Sequence, residues 1–185
     1  IRTASPFFMD ITQVSNAQFL EFVKMHPEWR RSKVERTQAD LNYLAHWSGD
    51  LEPGPKAPPG APVTYVSWFA ARAYCEAKGM RLPTQDEWEF VARADATRID
   101  ASTDQAFLRQ VLEWYSRPAT AEMEEVSSGI LNVHGLRGLH GLVWEWVYDF
   151  NSTMIVGDSR GDGSLERDLF CGAGSLLAAD VSNYA

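Results

Sequence analysis

Two histidines and a glutamate in the last third of the chain could together hold a metal ion. His134 and His140 flank a glycine-containing turn, and Glu145 follows a few residues later. Imidazole nitrogens and carboxylate oxygens are the ligands that zinc, copper and iron sites use in proteins. We therefore predict His134, His140 and Glu145 as the ligands of any metal site. The alternative is that the two histidines are hydrogen-bonded or solvated, which is the commoner role of loop histidines.

Glu145 has a second predicted property, which is burial. It lies between Trp144 and Trp146, and a buried carboxylate needs a cation or hydrogen-bond donors beside it. We predict Arg81 as that partner. The chain contains no nucleophile elbow of a serine hydrolase. No basic cluster adjoins Cys75 to lower its pKa, so a cysteine nucleophile is not predicted either.

The composition limits the partners that the chain can have. It has 185 residues and a formal net charge of -8, which disfavours nucleic acid and anionic membrane surfaces. It also contains no run of 18 or more apolar residues, so membrane insertion is not expected. The two cysteines, Cys75 and Cys171, could form a disulfide, or each could be a buried thiol. The chain starts at Ile1 without Met, which is compatible with a removed leader.

Capping residues and apolar spacing predict four helices that would position these groups. The first follows Ser15, and the second covers residues 68–78 and ends at a glycine. Thr84 and Glu87 form a capping box, which predicts a third helix that reaches about residue 93. Apolar residues at helical spacing predict a fourth helix over residues 103–115.

The intervening segments read as short strands, turns and irregular loops. Residues 27–61 are predicted to be mostly irregular, because the stretch 52–62 at their end contains five prolines and two glycines. Glycines and histidines between residues 132 and 140 predict tight turns, and residues 151–168 form a polar loop. Strands are predicted at residues 6–12, 62–67, 142–150 and 169–175.

These segments resemble, in order, the motifs of the formylglycine-generating enzyme or sulfatase-modifying factor family. The resemblance implies an α+β, compact, loop-rich fold related to C-type lectins, with little regular secondary structure, in a single domain over residues 1–185. It also implies a final Gly-Phe-Arg strand beyond residue 185, so we expect the domain to be incomplete at its C-terminal end. The matching segments are 10–16 with Phe19 and Phe22, 62–68, 73–75, 79–84, 87–90, 141–146 and 172–175.

The copper-binding cysteines of that family have no counterpart at the matching positions. The resemblance implies two cysteines shortly after the segment 172–175, and this chain has Ala178 and Asn183 there. Neither side chain is the soft thiolate ligand that copper(I) prefers. We therefore predict that the chain does not generate formylglycine.

The family resemblance also implies a calcium site, of which this chain retains one acidic ligand. Glu145 corresponds to one calcium ligand, whereas the other matching positions read Gly138, Gly141 and Leu142. Calcium takes six to eight oxygen ligands. We predict that the calcium site is lost or weak, although calcium stays the most plausible cofactor, ahead of copper or iron.

The resulting functional prediction is an accessory, maturation or binding protein that recognises a protein, peptide or small molecule. Its motif before Trp144 resembles accessory proteins of bacterial nitrite-reductase clusters, which implies export to the periplasm or the exterior. The alternative is a metal-dependent oxidoreductase of the same family, which would use oxygen to oxidise a peptide or a small thiol. The predicted ligand-binding residues are Trp47, His140, Trp144, Trp146, Asn183 and Tyr184.

Overall fold

The structure is a computed structural model, which describes residues 6–116 and 123–150. This part of the chain contains four α-helices and a short 3₁₀ helix, and the four α-helices follow the sequence prediction closely. They are α1 at Asn16–Met25, α2 at Trp68–Ala77, α3 at Gln85–Ala92 and α4 at Gln105–Ser116, with the 3₁₀ helix at Pro27–Trp29. None of these described helices has the length and apolar character needed to cross a bilayer.

The first three α-helices begin at the capping residues that the sequence predicts. Ser15 Oγ accepts from Gln18 N at 3.3 Å, and Gln18 Oε1 accepts from Ser15 N at 2.9 Å, which forms a reciprocal capping box. Ser67 Oγ accepts from Ala70 N at 3.2 Å at the start of α2. These bonds satisfy amides that have no partner within the helix, so the helix starts are fixed locally.

The strand predictions at residues 6–12, 62–67 and 142–150 are wrong for the described part of the chain, which contains isolated bridges but no strand. At residues 62–67 the pairing with the N-terminal segment stops after the bridge between Ser15 and Pro62 and the bond from Val63 N to Val14 O. Tyr65 then adopts a φ of 56°, which takes the backbone out of the β region. The strand predicted at residues 169–175 lies outside the described residues.

The N-terminal segment contacts the rest of the protein through side chains and a few backbone hydrogen bonds. Ile11 O accepts from Arg137 N at 2.7 Å, and Phe7 and Met9 pack against the second core cluster. Tyr148 N donates to Pro83 O at 2.7 Å, within a turn at the end of the segment predicted as a strand. The alternation of Phe7 and Met9 therefore reflects packing against this core cluster, without strand pairing among the described residues.

The larger core cluster joins α1, α2 and the long irregular segment. Phe19 of α1 stacks on Tyr74 of α2 with ring centroids 5.9 Å apart, and Trp47 meets the same Phe19 edge-on at 6.3 Å. Leu44 and Val23 are fully buried beside them. Residues 27–61 thus contribute core side chains although they form little regular structure, as the sequence predicts.

A second core cluster lies under α3. It consists of Val91, Leu136 and Leu139, with Phe7, Met9 and Trp88 packed against it. The turns that carry Leu136 and Leu139 are formed by glycines with positive φ angles, which confirms the tight turns predicted between residues 132 and 140. This cluster brings the N-terminal segment, α3 and residues 136–146 together.

Candidate functional site

Glu145 and its hydrogen-bond partners form a buried polar group between the two core clusters. Its Oε1 accepts from Gln13 Nε2 at 2.6 Å, and its Oε2 accepts from Trp88 Nε1 at 3.1 Å. Gln13 precedes α1 and Trp88 lies on α3, so the carboxylate links two elements that are far apart in sequence. Glu145 as a whole residue is half-buried, and removal of its carboxyl group from water is the main cause that raises the pKa of that group.

The prediction that Arg81 pairs with Glu145 is wrong. Both donors to Glu145 are neutral, and burial raises the pKa of its carboxyl group while the hydrogen bonds from Gln13 and Trp88 oppose that shift. No charged side chain contributes to the shift. The physical reason is that the α3 cap provides a nearer partner for Arg81.

Arg81 forms a two-point ion pair with Glu87, the acidic residue of the α3 capping box. Its Nη1 and Nη2 each donate to a carboxylate oxygen of Glu87 at 2.7 Å. Glu87 also accepts from Thr84 N at 2.8 Å. The hydrogen bond from Arg81 is the largest of the effects that lower the pKa of Glu87 to about 2. Glu87 is therefore ionised at neutral pH, and its contacts give it a structural role as the capping residue of α3.

Gln13 is the residue of this group that sequence reasoning missed. It is 8% exposed, and its Nε2 donates both to Glu145 and to Arg137 O, the latter at 3.2 Å. These two acceptors fix which end of the amide is nitrogen, and the buried Oε1 has no hydrogen-bond partner. Glu145 lies 132 positions further along the chain, so no local pattern could have indicated the contact.

A partly open cavity of about 490 Å³ adjoins this polar group. It lies between the N-terminal segment, α2 and residues 136–146. The polar residues in its wall include two hydrogen-bonded pairs, Gln13 with Glu145 and Arg81 with Glu87. The apolar wall includes Phe7, Met9, Val66, Tyr74, Leu136 and Leu139.

Cys75 on α2 contributes a thiol to the wall of the same cavity. It is half-buried and forms no disulfide with another described residue. Burial is the main cause that raises the pKa of this thiol to about 11, so the thiol is protonated at neutral pH. A protonated thiol is a poor nucleophile and a poor metal ligand. Cys171 lies outside the described residues.

The two histidines predicted as metal ligands contact aromatic rings, and His140 also bonds a backbone carbonyl. His140 Nε2 donates to Ala92 O at 2.9 Å, and its ring lies edge-on to Trp88 and Phe107. The ring of His134 contacts Phe90 with centroids 5.6 Å apart. Across residues 6–116 and 123–150, no three His, Cys, Asp or Glu side chains are grouped so that they could hold a metal ion. The structure therefore does not bring His134, His140 and Glu145 together as one ligand set.

The predicted ligand-binding residues are spread over different environments. Trp47 is 1% exposed and donates from Nε1 to Asn16 Oδ1, so it belongs to the core and not to a binding surface. Trp144 packs against Trp114 and Tyr115 of α4. Trp146 donates from Nε1 to Val66 O and also lines the cavity. Asn183, Tyr184 and Ala178 lie outside the described residues.

Several known proteins are similar to this chain. "Inactive C-alpha-formylglycine-generating enzyme 2" of Bos taurus is 31% identical over 180 residues, which cover 78% of this chain and 60% of that protein. The formylglycine-generating enzyme of Streptomyces coelicolor is 30% identical over 195 residues, covering 83% of this chain and 61% of that enzyme. The serine/threonine-protein kinase Pkn1 of Chlamydia trachomatis is 30% identical over 158 residues, which cover 24% of its length.

The family comparison covers almost the whole sequence. The model of the sulfatase-modifying factor enzyme 1-like domain matches residues 1–181. The chain spans about 60% of the length of the inactive formylglycine-generating enzyme 2 relatives. The matched range includes α1 to α4, the polar group around Glu145 and the cavity. This chain belongs to the sulfatase-modifying factor enzyme 1-like family.

Proposed function

We propose that this chain is a member of the family without oxidase activity, which acts as an accessory or binding protein. The observation that carries the proposal is the cavity of about 490 Å³, whose volume falls within the range of small-molecule sites. It adjoins a buried carboxylate whose two oxygens already accept hydrogen bonds from the protein. The arrangement suits binding better than acid–base chemistry.

The cysteines argue against the oxidase reaction of the family. A copper(I) site needs thiolate ligands, and the chain contains two cysteines in all. Cys75 lies on α2 and occupies neither position of the implied copper-binding pair. Ala178 and Asn183 occupy the positions at which the family resemblance implies the copper-binding pair.

Two similar proteins, from Bos taurus and Mus musculus, are named inactive C-alpha-formylglycine-generating enzyme 2. Their identity to this chain is 31% and 30%, against 28% to 30% for the proteins named formylglycine-generating enzyme. These values are too close to separate the two groups. The similarity is therefore compatible with a non-catalytic member of the family and does not decide between the two groups, so the proposal rests on the cavity and the cysteines.

The ligand that fits the cavity is a small and mainly apolar molecule. The cavity wall is largely apolar, and most of its polar side chains are already paired, Arg81 with Glu87 and Gln13 with Glu145. Asp10 and Arg137 add one charge of each sign to the wall. A ligand that brought several unpaired charges would leave them without partners and would be disfavoured. Affinity would come mostly from apolar surface removed from water.

Binding of the neutral fluorescent dye Nile red tests the cavity. Cys75→Phe places a ring in the cavity and is expected to weaken dye binding roughly tenfold or more, a change of about 1.4 kcal/mol. Ala77→Phe adds the same ring at an exposed position of α2 and should leave binding unchanged. Ala71→Phe, also at the cavity wall, provides a second test if Cys75→Phe does not fold. Equal dye binding by all folded variants would contradict a ligand site here.

The absence of oxidase activity is tested separately. The protein is loaded with copper(I) and incubated in air with a cysteine-containing peptide that the Streptomyces coelicolor enzyme converts. Mass spectrometry should find the peptide unchanged with this chain and converted with that enzyme. Conversion by this chain would overturn the non-oxidase proposal whether or not the cavity binds dye.

Export to the periplasm or the exterior is a further part of the proposal, supported by the resemblance to exported accessory proteins. Fractionation of the producing cells, followed by detection with an antibody against this chain, tests it. Protein found solely in the cytoplasmic fraction would contradict export.

We also propose that the whole of residues 1–185 adopts an α+β fold related to C-type lectins. The family match supports it, while the described residues contribute α-helices and loops. A crystal structure of the full-length protein tests it, and the absence of any sheet there would contradict the assignment.

A further inference from the structure

The calcium site that the family resemblance implies does not fit the residues around Glu145. In place of a cation, the side-chain amide of Gln13 lies between two acceptors, 2.6 Å from Glu145 Oε1 and 3.2 Å from Arg137 O. We infer that this amide takes the structural role of the calcium ion, so that the protein holds this region together without metal. The inference is independent of the function proposed above.

The amide has the donors that this position requires. Its two N–H groups match the two acceptors, and the second oxygen of Glu145 accepts from Trp88 Nε1 at 3.1 Å. Both carboxylate oxygens are therefore satisfied by neutral donors. A buried carboxylate that is fully hydrogen-bonded does not need a cation for its hydrogen-bond requirements.

Steric contacts show that the space beside Gly138, where the family resemblance implies a calcium ligand, is already filled. Gly138 has a φ of 67°, and a Cβ atom there would lie 2.6 Å from Leu142 Cδ1 and 3.1 Å from Gln13 Oε1. A ligand side chain at position 138 is therefore incompatible with the present positions of Gln13 and Leu142. These three residues fit one another as a set, and the fit leaves no room for an oxygen ligand from position 138.

The number of available oxygens leads to the same conclusion. Calcium takes six to eight oxygen ligands, usually including several carboxylates. Glu145 provides one carboxylate, and no three acidic, histidine or cysteine side chains are grouped in the part of the chain that the structure describes. The bond from Gln13 to Glu145 connects the segment before α1 to residues 136–145, which is the structural link that a bound ion would otherwise provide.

Replacement of Gln13 by glutamate tests the inference, because it changes the amide nitrogen to oxygen and keeps the shape. Thermal unfolding is measured for the parent protein and Gln13→Glu, each with excess calcium chloride and with excess EGTA. The parent Tm is expected to be the same in both. Gln13→Glu in EGTA should lose about 5 °C or more in Tm, because a donor is lost and two carboxylates face each other. Calcium should restore part of that loss.

The matched control is Gln110→Glu, which adds the same charge at an exposed position of α4. Its Tm should stay close to that of the parent in both solutions. A parent Tm that rises with calcium and falls with EGTA would overturn the inference, because the site would then hold an ion. An unchanged Tm for Gln13→Glu in EGTA would also overturn it, since the amide would then have no structural role. If Gln13→Glu does not fold, Gln13→Met, which removes the donors without adding charge, replaces it and should also lose Tm in EGTA.

Discussion

At the residue scale, His46 is a titratable side chain held in a place that disfavours its charge. Both ring nitrogens are buried without a hydrogen-bond partner, and the ring packs on Tyr65 with centroids 5.1 Å apart. Burial, with a smaller contribution from the charge of Arg31, lowers the pKa of His46 to about 4. The imidazole is therefore neutral at physiological pH and packs as a half-buried ring against Tyr65.

This pKa predicts a specific loss of stability in acid. Between about pH 6.5 and pH 4 the unfolded chain binds a proton at position 46 and the folded chain does not, so the free energy of unfolding falls as pH decreases. The loss is at most about 3 kcal/mol over the whole window, and solvent screening of the half-buried ring makes it smaller. His46→Phe should lack this part of the loss, as measured by urea unfolding at a series of pH values. Parallel pH profiles for the two proteins would show that His46 does not titrate in this way.

The polar group around Glu145 shows what residue patterns could and could not predict. The position of Glu145 between two tryptophans was enough to predict that its carboxyl group is removed from water. Its partner was predicted wrongly, because Arg81 is the nearest cation in the motifs but is taken by Glu87 at 2.7 Å. Gln13 is an ordinary glutamine in sequence, and its role comes from a three-dimensional contact.

At the element scale, α3 connects the capping signals to the candidate site. Its first turn is fixed by Thr84 and Glu87, and its second turn carries Trp88, which donates to Glu145. Val91 on the same helix belongs to the second core cluster. A change in the start of α3 therefore affects both helix stability and one donor to the buried carboxylate.

Thr84→Ala is predicted to destabilise the protein by about 1 kcal/mol, because Glu87 N loses its acceptor at 3.3 Å. The measurement is the midpoint of urea unfolding, with unchanged dependence on urea concentration. Thr103→Ala provides the matched control, since Thr103 is exposed and precedes α4 without capping it. It should change stability by less than about 0.5 kcal/mol. Equal effects of the two substitutions would argue against the predicted role of the cap.

The helices were predictable because their signals are local. A capping hydroxyl, such as that of Ser15, and the backbone amide that donates to it lie within a few residues of each other. The predicted strands at residues 6–12, 62–67 and 142–150 depended on partners elsewhere in the chain, and alternation of apolar residues cannot identify them. In the structure Phe7 and Met9 of the first segment pack on the second core cluster, whereas residues 62–64 and 66 are all buried and show no alternation.

At the scale of the whole molecule, side-chain amides replace the hydrogen-bond ladders that a sheet would provide in the described residues. Asn132 donates to Val91 O at 2.9 Å and accepts from the amides of His134 and Leu136, which fixes the turn beneath the second core cluster. Gln13 joins the N-terminal segment to Glu145. The loop-rich architecture therefore depends on a few buried amides that bond backbone groups from distant segments.

Asn16 provides the strongest test of this architecture. It is 1% exposed, its Nδ2 lies within 3.0 to 3.3 Å of the carbonyl oxygens of residues 58, 61 and 62, and its Oδ1 accepts from Trp47 Nε1. Asn16→Ala leaves buried carbonyls and an indole N–H without partners, at a cost of about 1–3 kcal/mol for each such group.

We therefore predict that Asn16→Ala lowers the free energy of unfolding by about 3 kcal/mol or more, measured by urea unfolding. Asn42→Ala, at an exposed position of the irregular segment 27–61, should change the free energy of unfolding by less than about 0.5 kcal/mol. If Asn16→Ala is too unstable to purify, Asn16→Ser keeps a neutral hydroxyl that can bond one of these partners, so it should fall between the parent and Asn16→Ala. A small effect of both Asn16 variants would mean that apolar packing alone positions the irregular segment.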